Sequence, residues 1–245
     1  VLSLPSAGTL TLNSSAVTVG QKVTKAEIDS GLLRFTPAAN QNGVNYASFD
    51  FRINSGNPTI TVLAGEPSSY SLNGGQHPQT DAILASGSNF GNGGTYESSI
   101  SVVAASSTID ASYLAQGEIL FNGYVPDGQW TGTELSAVDT WIQNGGILIS
   151  TNDSAGQNDL ASFYGLTIGG TANSTWHVAD DTSPIMNGPF GLVGTNGSSF
   201  SAVGTISYFN SASLAVGDQV LAVDSASGQP TMVLRQHGSG WILFT

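Results

Sequence analysis

TGTELSAVDTWIQNGGILIST, residues 131–151, reads as a helix, a stop and a buried strand in direct succession. Leu135, Val138, Trp141 and Ile142 recur at helical spacing, Gly145-Gly146 ends the helix, and ILIST is an apolar run too short for a second one. A helix that delivers the chain straight into a buried strand is half of a βαβ unit, so a parallel sheet is expected.

Upstream the same rhythm repeats. ITVLAG (60–65), SSISVVA (98–104) and EILFNGYV (118–125) read as strands, with TDAILASGS (80–88) and TIDASYLAQ (108–116) as the helices between them. Repeated βαβ units imply a doubly wound, mostly parallel, three-layer α/β domain, assigned to residues 57–245. Before the Gly-, Asn- and Ser-rich linker at 54–58 the period changes to two. TLTLN, AVTV, LLRFT and YASFDFRI alternate apolar with polar residues around turn signals at Asn13-Ser14-Ser15 and 40–43, which predicts a small β-sandwich-like unit over residues 1–56. Thr24 with Glu27 three residues on predicts one helical turn inside it.

Lys plus Arg total 5 against 17 Asp plus Glu, a formal charge of -12. Such a surface repels a nucleic-acid backbone and an anionic membrane, and leaves cations and neutral partners such as glycans open. Calcium is the cation that suits this field best. There is no Cys, which removes disulfides, thiolate metal sites and thiol nucleophiles together and leans toward export in a bacterial protein. No apolar run approaches the roughly 20 residues of a membrane helix, so membrane insertion is not expected. The start inside VLSLP and the stop at GWILFT read as cut from a longer polypeptide.

Residues 8–53, with LPSAGTL, VTVGQ, the IDSGLL step and FTPAANQNG, resemble the C-terminal half of a cadherin-like repeat of giant bacterial adhesins. The strands that open such a repeat are absent. The resemblance implies an extracellular or cell-surface module built for reach and attachment. EILFNGY, ELSAVDTWIQNGGILISTND, DDTSPIMNGPFG and QVLAVDSASGQPTMVLRQHGSGWILFT resemble the flavodoxin-like class I glutamine-amidotransferase-like domains, including those related to trehalose utilisation, over most of 59–245. Glutaminase chemistry needs a thiolate on the turn after the central strand, and that turn reads Thr151-Asn152-Asp153 here. The resemblance therefore carries the fold without the reaction. No GxSxG elbow, P-loop or dinucleotide fingerprint occurs, so no nucleotide cofactor is expected.

In a sheet of this kind ligands sit beyond the carboxyl ends of the strands, at the loops after Gly65, Ala104, Gly123 and Ser150. Asn122, Tyr124, Trp130 and Asn152 fall there among Gly, Thr and Asn, the dressing of a sugar-stacking surface, and are the candidate ligand-binding residues. Hard-cation candidates are Asp153 and Asp159 in the polar turn after ILIST, and Asp180 with Asp181 before SPIMNG. Neither cluster has EF-hand spacing, and a solvated turn is the plainer reading of both. His177 with Asp180 and Asp181 reads either as a small metal or acid-base site or, more plainly, as a strand-edge His beside an Asp-rich turn, and His77 and His237 read as loop residues.

These readings point to a non-enzymatic extracellular structural or adhesive protein, a piece of a larger surface protein or fibre. Its expected partners are other copies of itself or neighbouring domains of the parent chain, and glycans. The alternative is a carbohydrate- or small-ligand-binding domain, or a hydrolase, working through the strand-tip loops.

Overall fold

The computed structural model describes residues 1–51, 58–124, 128–152, 158–188, 190–201 and 206–245. The chain divides into two units, Val1–Gly56 and Asn57–Thr245.

In the first unit β1 (Thr9–Leu12) lies between β2 (Ser15–Ala16) and β3 (Leu33–Thr36), all antiparallel, with α1 (Lys25–Asp29) between β2 and β3. Thr24 and Glu27 form the reciprocal cap their spacing predicts, and hold the helix's first turn. Leu10, Leu12 and Val17 make a small core. Among the described residues no second sheet stacks on this one. The predicted strand YASFDFRI forms no ladder over its described part, residues 46–51. Both edges of β1 are taken, and Asp50 instead accepts the amides of Leu2 and Ser3 through its carbonyl.

The second unit begins with strand–helix alternation: β4 (Thr59–Leu63), α2 (Pro78–Ala85), β5 (Ser99–Val103), α3 (Ala111–Leu114), β6 (Ile119–Asn122), α4 (Gly132–Gln143), β7 (Ile147–Ser150) and α5 (Asp159–Phe163). It continues through β8 (Ile168–Ala172), β9 (Thr175–Val178), β10 (Asn187–Gly188), β11 (Gly191–Leu192), β12 (Ser199–Ser201) and β13 (Ile206–Phe209), and closes with β14 (Gln219–Asp224), β15 (Pro230–His237) and β16 (Gly240–Phe244). The central sheet runs β12-β9-β14-β15-β16-β7-β6-β4-β5. Its parallel half, β5-β4-β6-β7-β16, has the flavodoxin-like order in which strands 2-1-3-4-5 lie side by side. The other half continues antiparallel from the β15–β16 hairpin.

The strand period of two sorts the core onto two faces. Leu63, Leu120, Leu148 and Ile242 pack with Tyr113 and Leu114 of α3, Val138 and Ile142 of α4, and Leu160 of α5. The intervening Val62, Phe121 and Ile149 pack with Leu72 and with Leu84 of α2. Helices therefore cover both faces, and the unit is the α/β, doubly wound type. Met186, Val178, Leu221 and Leu234 form a third cluster in the antiparallel half. Among the described residues no helix is long and apolar enough to cross a membrane.

Candidate functional site at the strand tips

The sheet changes direction at β4: the chain moves from β4 outward to β5, then crosses back to β6 on the other side. Loops leaving adjacent strands in opposite directions part there and open a crevice. A cleft of about 820 Å³ occupies that place, lined by Glu66 and Pro67 after β4, residues 107–111 after β5, and Gln129, Thr131, Thr133 and Glu134 after β6.

Local chemistry fixes these loops. Gly65 adopts φ +74°, and a Cβ on it would stand 2.5 Å from the Phe121 carbonyl oxygen. Only glycine meets both demands. Gly123 is closer still, since a Cβ would lie 1.9 Å from the Tyr70 carbonyl oxygen, so the loop after β4 lies directly on the tip of β6. The start of α4 is tied down by Glu134. One carboxylate oxygen accepts the Thr131 amide at 3.0 Å and hydroxyl at 2.7 Å, and the other accepts the Ile109 amide at 3.1 Å, joining the loop after β5 to the helix. Burial pushes the Glu134 carboxyl up, but the bonds from Thr131 and Ile109 outweigh it and hold the group below the ordinary carboxylate range. Asp110 caps α3 by accepting the amides of Ser112 and Tyr113.

Glu66 is different. Its carboxyl is half-buried and pushed upward by burial first, then by the like charges of Glu134 and Asp159, and no hydrogen bond from the described residues offsets them.

At the ends of β6 and β7 lies a run of buried polar side chains, none of which lines the cleft. Asn122, Ser150, Asn152 and Asn158 are all 5 % exposed or less. Asn158 caps α5 through its carbonyl oxygen and donates to the Thr151 carbonyl at 3.3 Å. Asn152 donates its side-chain amide to the Thr245 carbonyl at 3.3 Å, while its own Oδ1 has no partner among the described residues. On the same count the Asn122 carboxamide has none for either Nδ2 or Oδ1, and the Trp130 indole Nε1 is also buried without one. Asn122 Oδ1 would stand 3.4 Å from a Cβ on Gly65.

Of the ligand-binding candidates, Asn122 and Asn152 sit at the strand ends and Trp130 in the turn before α4, each buried with an unpartnered polar atom and none in the lining of the cleft. Tyr124 is half-buried and joins an aromatic group, edge-on to Tyr70 at 5.5 Å, with His77 packed on Phe121 at 5.3 Å. The metal candidates are not brought together. Asp153 lies outside the described residues. Both oxygens of Asp159 accept backbone amides, from Gly128 and Trp130 at 2.9 Å each, so this carboxylate pins the turn that carries Trp130. Asp180 and Asp181 lie after β9 in the antiparallel half; Asp180 accepts from Thr182, and Asp181 exchanges bonds with Asn196. Among the described residues no three His, Asp or Glu side chains are grouped as a metal ion requires. His237 pairs with Asp139 at 2.7 Å, at the hairpin between β15 and β16. Glu66 was not among the sequence candidates. Its signal was position alone, the residue after the glycine that ends the first parallel strand.

No protein-family model matches the chain, and no curated protein matches it. Solved structures do. A ThuA-like protein from Bacteroides uniformis superposes with a TM-score of 0.50 at 12% identity, over 80% of this chain and 84% of that one. The N-terminal domain of mmIFT52 gives 0.50 at 10% identity, over 76% and 84%. At such identities the likeness shows architecture and nothing of activity. The chain carries the α/β, flavodoxin-like fold seen in the ThuA-like protein, in keeping with the amidotransferase-like resemblance of its strands and its long helix.

Proposed function

We propose that the chain is a non-enzymatic binding protein whose larger unit holds a small polar ligand of the carbohydrate class at the strand tips. The observation that supports this is the group of buried polar atoms on Asn122, Trp130 and Asn152 that find no partner among the described residues. More than nine in ten buried polar groups in folded proteins are paired, and each orphan costs about 1–3 kcal/mol. Four such atoms, at the ends of β6 and β7 and in the turn before α4, are accounted for by a partner that supplies alternating donors and acceptors, as a polyol does. Ser107, Thr108, Thr131, Thr133 and Gln129 add hydroxyl and amide groups to the lining of the cleft. An extracellular or surface setting, with glycans as partners, belongs to the same proposal and draws on the acidic balance and the lack of Cys.

Titration calorimetry of the full chain against a panel of mono- and disaccharides tests this reading. Saturable binding that Asn122→Leu abolishes is expected; no heat from any sugar would refute it.

A second reading, adhesion by self-association, is favoured by β3. This strand forms an outer edge of the first unit's sheet, and its Phe35, in register with Leu10 of β1, is 40% exposed. An unpaired edge can take a strand from another copy, and head-to-tail addition builds filaments. Calcium belongs to this reading as a stiffening ion. Light scattering that reports monomers at high concentration, with and without calcium, would exclude it.

A further inference from the structure

We propose that Asn42 is a self-modifying position, where the chain converts its own carboxamide to aspartate and isoaspartate through a cyclic imide. The position lies in the first unit, apart from the strand-tip site. Asn followed by Gly is the pair that supports this reaction, because a residue without Cβ lets its amide nitrogen reach back to the preceding side chain. The Gly43 nitrogen attacks Asn42 Cγ and forms a bond to it, the bond from Cγ to Nδ2 breaks, and the Gly43 amide proton departs with that nitrogen as ammonia. Water then opens the ring at one carbonyl or the other, giving aspartate or an isoaspartate whose main chain runs through Cγ. The attack requires an accessible carboxamide and a glycine amide free to turn.

The sequence repeats the pair at Asn73, Asn92, Asn122, Asn144, Asn187 and Asn196, and the fold restrains each of these. After Asn73, Asn144 and Asn196 the glycine amide is already donated, to the carbonyls of Ser71, Ile142 and Val178 at 2.9, 2.9 and 2.8 Å. The Asn144 side chain also donates to the Thr140 carbonyl, and that of Asn196 accepts the Asp181 amide. Asn122 is 0% exposed, with Gly123 pressed on the Tyr70 carbonyl. Asn187 and Gly188 are fixed in the β10–β11 ladder. Asn92 is engaged in a contact, inside a turn closed by the Gly94 amide on the Gly91 carbonyl at 3.0 Å. Asn42 differs from all of them. It is exposed and lies outside helix and strand, and neither its carboxamide nor the Gly43 amide has a hydrogen bond among the described residues. Nothing stands within 4 Å of a Cβ on Gly43, so the nitrogen has room to swing. The feet of the loop are pinned, since the Tyr46 hydroxyl accepts the Ala38 amide and donates to Gln41 Oε1, at 3.1 Å each. The pair therefore reacts at a loop tip away from the Leu10, Leu12 and Val17 core, without unfolding the unit.

Incubation of the folded full chain in mildly alkaline buffer, followed by digestion and peptide mass mapping with isoaspartate labelling, decides the matter. The basic residues are Lys22, Lys25, Arg34, Arg52 and Arg235, so trypsin releases residues 35–52 with Asn42 in its only Asn-Gly pair and leaves all the others in 53–235, where fragmentation separates them. Asn42 is expected to convert at least about fivefold faster than any other pair, the factor for a hydrogen bond that must break before attack. Asn42→Gln should leave peptide 35–52 free of the label, and the same incubation in urea should bring the other pairs up toward the rate of Asn42. Equal rates at several pairs in the folded chain, or faster conversion at any of the others, would overturn the proposal. So would a folded chain that stays unmodified while Asn42 reacts in urea, because the loop would then be held against attack.

Discussion

Asn122 and Ser150 are direct register partners at the ends of β6 and β7, and both are wholly buried, yet the Asn122 carboxamide neither donates to nor accepts from any described residue. A fold that buries such a group is less stable than it could be. Asn122→Leu keeps the branched shape and heavy-atom count and removes two unpartnered polar atoms, so the larger unit should gain about 1–2 kcal/mol as it loses its ligand. All four Trp residues lie in Asn57–Thr245, so Trp fluorescence in urea reads that unit alone. An unchanged or lower midpoint would mean that Asn122 is paired in solution.

Glu134 ties two loops of the cleft to α4. Glu134→Ala removes the capping box and orphans the Ile109 amide, and should cost about 2–3 kcal/mol by the same measurement. Because its folded pKa is depressed, its contribution is complete above the unfolded value of about 4.3 and is lost as pH falls through the folded value. Asp224, pushed up by burial but held low on balance by Ser227 and Asn173, behaves alike. The urea midpoint should therefore fall on acidification below about pH 4, and Glu134→Gln should flatten that fall.

Glu66 runs the other way. With a folded pKa raised by burial and by Glu134 and Asp159, ionisation opposes the fold, so stability is greatest below the unfolded value and declines as pH rises through the folded one. Glu66→Gln should raise the midpoint at pH 7, and the advantage should vanish below about pH 4. A Glu66→Gln chain that is less stable at pH 7 would show that the carboxylate has a partner.

Gly123 and Gly132 should respond oppositely to Ala. At Gly123 the new Cβ meets the Tyr70 carbonyl oxygen at 1.9 Å, and relief by shifting the loop after β4 should cost about 1–3 kcal/mol and disturb ligand binding. At Gly132, the first residue of α4, nothing lies within 4 Å, and Ala should add about 0.5–1 kcal/mol. Urea midpoints of the two variants check both signs.

Arg235 holds Asp218 with two bonds of 2.7 Å and donates to the Tyr164 carbonyl at 2.6 Å, with the Asp218 side chain 1% exposed. Asp218→Ala strands a buried guanidinium and should cost about 3–5 kcal/mol. Replacing both members together, Asp218→Leu with Arg235→Met, leaves no charge unpaired and should recover much of the loss. A double variant as unstable in urea as Asp218→Ala would argue against this account.

Local pattern sufficed for a good part of this molecule. The spacing of Leu135, Val138, Trp141 and Ile142 with Gly145 beyond them is a property of neighbours in the chain, and so is the Thr24–Glu27 cap; both specify structure without knowing what packs against them. The βαβ rhythm likewise named the fold class and the loops where a cleft would open. What residues 46–51 would pair with was undetermined, because a strand exists only if another strand's edge is free for it. The antiparallel continuation through β15, β14, β9 and β12 is also a choice of partners distant in sequence. The deepest divide is among the polar residues. Asp159 and Asn122 are equally plausible ligands in the sequence, yet folding satisfies the first with two backbone amides and gives the second no partner among the described residues. Hydrogen-bond satisfaction is decided by atoms brought together across the fold, so only the tertiary structure tells a carboxylate that is occupied from a carboxamide that is waiting.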